Sequence, residues 1–201
     1  MIKPALIFAT NNQHKVEEAR SVIGNNIILI SLKEAGIDID IPEPYFTLEA
    51  NASEKSRTIY KLTKQNCFSE DTGLEVEALN GEPGVKSARY AGDEKNFQAN
   101  IDKLLSKMSE QENRRAKFRT VISLIWDDKE FLFEGASEGK IINEQRGKYG
   151  FGYDPVFVPD ESEKTFSEMT LEEKNKYSHR RKAMDKLILF LALSLKGSND
   201  R

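Results

Sequence analysis

Apolar and polar positions follow two periods along this chain of 201 residues. Ala5 to Ala9 is a short, wholly apolar run, the pattern of a strand buried on both faces. It breaks into the polar stretch Thr10-Asn11-Asn12-Gln13-His14-Lys15. Val16, Ala19, Val22 and Ile23 then recur at helical spacing up to a stop at Gly24. Ile27 to Leu32 predicts a second strand, and residues 37–46, broken by Pro42 and Pro44, read as irregular. A charged helix over Leu48 to Lys64 turns Leu48, Ala52, Ile59 and Leu62 to the core, and Cys67 to Glu70 returns to the sheet. The order β-α-β-loop-α-β argues for an α/β sheet.

Further on, Asn96 to Met108 is an amphipathic helix carrying Phe97, Ile101, Leu104 and Leu105. Lys117 to Trp126 and Glu130 to Glu134 flank Asp127-Asp128-Lys129 as a hairpin, with further strands around Gly139 to Ile142 and Val156 to Val158. Thr170-Leu171-Glu172-Glu173 is a capping box opening a short helix that carries Lys174. Ser178 caps a last helix that runs as core through Leu195. The neighbouring strands predict a partly antiparallel, mixed central sheet with flanking helices. With no repeat and no linker, residues 1–201 read as a single domain: two lobes on one continuous sheet, with a cleft between them.

Composition narrows the function. Hydrophobic residues make up 38% and charged residues 31%, enough for both a core and good solubility. A net charge of −3 argues against a nucleic-acid partner, and Arg114-Arg115-Ala116-Lys117 reads as a solvated loop. A single cysteine, Cys67, makes no internal disulfide and fits a buried thiol in a reducing compartment. With His14 and His179 it does not make a zinc site. No leader is visible, and Leu187 to Leu195 is too short to span a bilayer, so the expectation is a soluble, cytoplasmic protein without membrane contact.

The candidate chemistry gathers around Phe68 to Gly92. Glu70 and Asp71 stand at a strand end, followed by Thr72-Gly73 as a tight turn. Such oxygen ligands suit magnesium, which keeps waters and bridges to phosphates; solvated acids at a strand end are the plain alternative. The Thr10–Lys15 turn offers backbone N–H groups, a helix dipole and the Lys15 charge to a phosphate, or is simply an asparagine-capped βα turn. It carries neither a Walker sequence nor Gly-x-Gly-x-x-Gly. In Arg146 to Tyr153, glycines permit close approach to a ligand, and Phe151 and Tyr153 are available to stack on a flat ring, or to pack beneath a flexible loop. His179 and Arg180 open the last helix, where positive charge is unfavourable without a partner.

Several of these stretches together resemble the inosine triphosphate pyrophosphatases. They are Thr10 to Lys15, Glu70-Asp71-Thr72-Gly73-Leu74, Asn80-Gly81-Glu82-Pro83-Gly84, Ser87 to Gly92, Phe151-Gly152-Tyr153-Asp154-Pro155 and Ser178-His179-Arg180, in the family's order over nearly the whole chain. The resemblance implies magnesium-dependent hydrolysis of inosine, deoxyinosine and xanthosine triphosphates to the monophosphate and pyrophosphate by a homodimer. It implies an elongated central sheet with the nucleotide in the cleft. By match, Thr10, Asn11, Asn12, Gln13, His14 and Lys15 hold the triphosphate. Asp71 is general base and metal ligand, and Thr72 lies beside the substrate. Phe151, Gly152, Tyr153 and Asp154 hold base and sugar, and Lys174, His179 and Arg180 complete the site. The second metal ligand, a glutamate before the second helix, is matched by Glu43 at a spacing one residue short. Glu70-Asp71-Thr72 stands for the commoner Asp-Asp-Ser, and Arg181 for a frequent glycine.

In the mechanism this implies, magnesium offsets triphosphate charge, Lys15 and Lys174 stabilise developing negative charge, and Asp71 orients or deprotonates water. A donor from His179 or Arg180 selects the purine 6-carbonyl. The rivals are a pyrophosphatase of modified pyrimidine nucleotides and a non-catalytic nucleotide-binding module.

Overall fold

The computed structural model describes residues 3–25 and 27–199, with side chains as far as residue 195. It is a mixed α/β fold. Strands β1 (Ala5–Phe8), β2 (Ile28–Ser31), β3 (Cys67–Val76), β4 (Pro83–Gly84), β5 (Arg115–Trp126), β6 (Lys129–Ile141) and β7 (Phe157–Pro159) form one sheet. Its order is β2-β1-β3-β5-β6-β7, with β4 paired to β3. The helices are α1 (Gln13–Ile23), α2 (Leu48–Thr63), α3 (Phe97–Lys107), α4 (Leu171–Asn175) and α5 (His179–Asn199). No described helix is long and apolar enough to cross a membrane.

The chain divides into two compact units. The first comprises Met1–Asp71, Thr120–Gly135 and Arg180–Arg201. In it β1 lies parallel to both β2 and β3, with Ala5 opposite Ile28 and Ile7 opposite Cys67. One core packs Phe8 and Phe68, stacked at 4.3 Å, with Val16 and Ala19 of α1 and Met184 and Leu187 of α5. A second gathers Ile7, Ile59, Cys67 and Ile125. The buried thiol of Cys67 is pushed up to about 12 by desolvation, so it is an inert core group. The second unit comprises Thr72–Arg119 and Ala136–His179, and its core joins Leu74, Val76, Leu104, Phe118, Phe157 and Phe166.

Four sequence expectations are corrected. β3 does not end at Glu70: it continues unbroken to Val76, so Glu70 and Asp71 lie within a strand and Thr72-Gly73 is no turn. Gly73 is small for another reason, since a Cβ there would sit 2.6 Å from the carbonyl oxygen of Gly84 on β4. The two separate strands expected around Glu130 and Gly139 are one strand, β6. Leu62, expected in the core, is 60% exposed. The first helix begins at Gln13, which places Lys15 on the helix itself.

Candidate functional site

In the first unit the chemistry gathers where β1, β3, α1, α2 and α5 supply buried charge. Asn12 caps α1, its Oδ1 accepting from the Lys15 backbone N–H at 3.2 Å. The capped turn is therefore real, and that oxygen is engaged. Thr10 Oγ1 accepts from the Asn12 N–H at 3.2 Å, and Asn11 Nδ2 donates to the Ile39 carbonyl at 2.8 Å. Gln13 and His14 are exposed on the first turn. Thr10, Asn11 and Gln13 also line an open cavity of about 500 Å³ together with Ser31, Lys33 and Asp38.

Lys15 turns inward to Glu70, its Nζ 3.2 Å from Oε1. Glu70, 1% exposed, is also gripped by Arg180 through Nε to Oε2 and Nη2 to Oε1, both at 2.7 Å. The remaining arm of the guanidinium, Nη1, donates to Glu18 of α1. Burial alone would raise the Glu70 carboxyl, but Arg180 and Lys15 hold it well below the usual carboxylate range. Burial lowers Lys15, against the pull of Glu70, and the Lys55 and Arg180 charges nearby add to the lowering. The partners that offset the Arg180 charge at the helix start are thus two carboxylates. That removes the electrostatic argument for a purine carbonyl in that role.

Asp71 is 7% exposed. Its Oδ1 accepts from Lys55 Nζ at 3.2 Å and its Oδ2 from Asn51 Nδ2 at 3.3 Å. The same ammonium reaches Glu43 Oε1 at 2.6 Å. Burial raises Asp71, outweighing the pull of Lys55 and Lys15, which makes it a better proton acceptor than a surface aspartate. Burial would lower Lys55, but Asp71 and Glu43 outweigh it and keep it charged. Glu43 and Asp71, the two expected metal ligands, therefore converge on one cation. Among the described residues no group of three or more His, Cys, Asp or Glu suits a metal. Two carboxylates around a shared positive charge fit magnesium, which takes its other ligands from water and phosphate.

In the second unit, Asp154 is 3% exposed and its Oδ2 accepts from Lys174 Nζ at 2.6 Å and from the Phe151 N–H at 2.9 Å. Gly150, at φ 77°, leaves the space that carboxylate occupies: a Cβ there would meet Oδ2 at 2.1 Å. Lys174 Nζ lies 5.3 Å from the centre of the Phe151 ring and 5.1 Å from that of Phe166. The His179 ring stacks on Phe118 at 4.7 Å. Gly152 stands at φ 61° beside Phe151, and Thr72 is half-buried. Tyr153 does not offer a face for stacking: it is 3% exposed in the core, and its hydroxyl donates to the Ser87 carbonyl at 2.8 Å. Of the two aromatics expected to stack, only Phe151 is partly exposed.

Lys55, Asn51 and Glu18 were not found by sequence reasoning. A signal existed for the first two. Asn51 and Lys55 stand four apart on the buried face that also carries Leu48, Ala52 and Ile59, where a polar side chain needs a buried partner.

Comparison with known proteins matches the chain to one family. The model of the Ham1 family matches residues 6–190. A dITP/XTP pyrophosphatase of Porphyromonas gingivalis is 49% identical over 92% of this chain and 96% of its own length. One of Flavobacterium johnsoniae is 45% identical over 91% and 95%. The solved structure of the Staphylococcus aureus Ham1 protein superposes with a TM-score of 0.85 at 40% identity, covering 94% of this chain and 99% of that one. This chain belongs to the Ham1 family.

Proposed function

We propose that the protein hydrolyses inosine, deoxyinosine and xanthosine triphosphates to the monophosphate and pyrophosphate, removing them from the nucleotide pool. The observation that carries the reading is the buried Asp71, raised in proton affinity and fixed between Lys55 and Asn51. Relatives named dITP/XTP pyrophosphatase support the substrate class.

Asp71 orients the attacking water and takes its proton. Lys15, buried beside Glu70, and Lys55 receive the phosphate charge, with the Thr10–Gln13 turn offering backbone donors. Glu43 and Asp71 would hold magnesium, whose charge would there offset that of the triphosphate. Phe151 stacks on the purine, and Thr72, Gly152 and the Tyr153 backbone shape the wall around it. Lys174, held beside that ring by Asp154, is a donor for a base carbonyl rather than a phosphate clamp, and His179 adds a second donor. Arg180 acts through Glu70, keeping Lys15 in place. The enzyme works in the cytoplasm as a homodimer on a small nucleotide, with no nucleic-acid partner. The single reduced thiol and the family resemblance support that setting.

Product analysis tests the bond cleaved. With inosine triphosphate and magnesium, equimolar inosine monophosphate and pyrophosphate are expected. Inosine diphosphate with orthophosphate would overturn the reading.

A further inference from the structure

Asn51 carries three hydrogen bonds that tie two parts of the site together. Its Oδ1 accepts from the Tyr45 N–H at 2.9 Å, which fixes the orientation of the carboxamide. One Nδ2 hydrogen goes to the Tyr45 carbonyl at 3.1 Å and the other to Asp71 Oδ2 at 3.3 Å. The side chain is 1% exposed, so none of these bonds is exchanged cheaply for water. Tyr45 follows Glu43 by two residues in the segment that enters α2, and Glu43 and Asp71 share the Lys55 ammonium. Tyr45 and Phe46 are 45% and 87% exposed, so the segment has little burial of its own to hold it.

We propose that Asn51 is a positioning residue that locks the Glu43-bearing segment and the Asp71 carboxylate into one geometry. The proposal rests on the reading of Asp71 as the group that handles water. Only a carboxamide of this length donates twice and accepts once here. Aspartate has the same shape but no donor, and it would set a second carboxylate against Asp71.

The test compares wild type with Asn51→Asp, and with Asn51→Ala should the first not fold, each checked by thermal melting. Chymotrypsin cuts after Tyr45 and Phe46, so cutting there reports release of the segment without reference to substrate. Cutting is expected to be about tenfold faster in the variant, the effect of losing a buried hydrogen bond. On inosine triphosphate, kcat is expected to fall about 10–100-fold with KM within about twofold, and the magnesium concentration for half-maximal rate to rise. An unchanged cutting rate overturns the proposal. So does faster cutting with undiminished kcat, which would leave Asn51 a loop anchor alone. Wild type inactive on this nucleotide but active on another would defeat the proposed substrate, and the same comparison would then run on the other.

Discussion

Burial raises the proton affinity of Asp71, whereas Arg180 and Lys15 hold its neighbour Glu70 ionised. Alternation along β3 sends these two carboxylates to different partners, so they answer to different tests. Asp71→Asn keeps the shape and removes the base. Turnover at saturating magnesium is expected to fall about 10²–10⁴-fold while an uncleavable nucleotide analogue still binds, read by kcat and by calorimetry. Near-normal kcat would remove Asp71 from the mechanism. Glu70→Gln strips Arg180 of its bidentate partner and is expected to destabilise by about 3–5 kcal/mol at pH 7. Because the folded-state carboxyl is depressed, its contribution is present above the ordinary value of 4.5 and fades as pH falls through the lower folded value. Denaturation at pH 7 and pH 4 should therefore show the gap between wild type and variant narrowing in acid. The sequence made the pair visible as candidate ligands. The family resemblance singled out Asp71, but the ion-paired role of Glu70 was not legible, because the carboxylate–guanidinium contact joins residues 70 and 180.

At the scale of elements, helical periodicity placed Leu48, Ala52 and Ile59 correctly and Leu62 wrongly. Ile59 is fully buried, so Ile59→Ala is expected to cost about 2–5 kcal/mol in denaturant unfolding. Leu62→Ala is expected to stay within about 0.5 kcal/mol. Equal costs would mean that α2 is rotated from the orientation described. Gly73 looks like turn punctuation, yet it stands inside a strand where another backbone approaches closely, as does Gly139, where a Cβ would lie 2.3 Å from the Val158 carbonyl oxygen. A glycine that bends a chain and one that admits a neighbour are the same letter, and only the partner strand tells them apart. The hairpin was legible because Asp127 and Asp128 tolerate the positive φ of a two-residue turn, 48° and 64° here. Lys55 was missed although it shares the buried face of α2, because a lysine in a charged helix reads as solvated until its carboxylates are seen.

For the whole molecule, the cores of the two units are built of apolar side chains, and Glu43 and Asp71 are both ion-paired to Lys55. Chelation is therefore expected to stop turnover while shifting the melting temperature by no more than about 2–4 °C, the effect of roughly 1 kcal/mol in a chain of this size. Unfolding on chelation would show that the carboxylates need the ion structurally. Selectivity for purines carrying carbonyls in place of amino groups is read from kcat/KM for pyrophosphate release from inosine, deoxyinosine, xanthosine, adenosine, guanosine and modified pyrimidine triphosphates under one magnesium concentration. The first three are expected to exceed adenosine triphosphate by at least about 10–100-fold, the value of one hydrogen bond to a charged donor, whereas guanosine triphosphate shares the 6-carbonyl and is rejected only through its 2-amino group. A flat profile, or a pyrimidine nucleotide at the top, would contradict this selectivity.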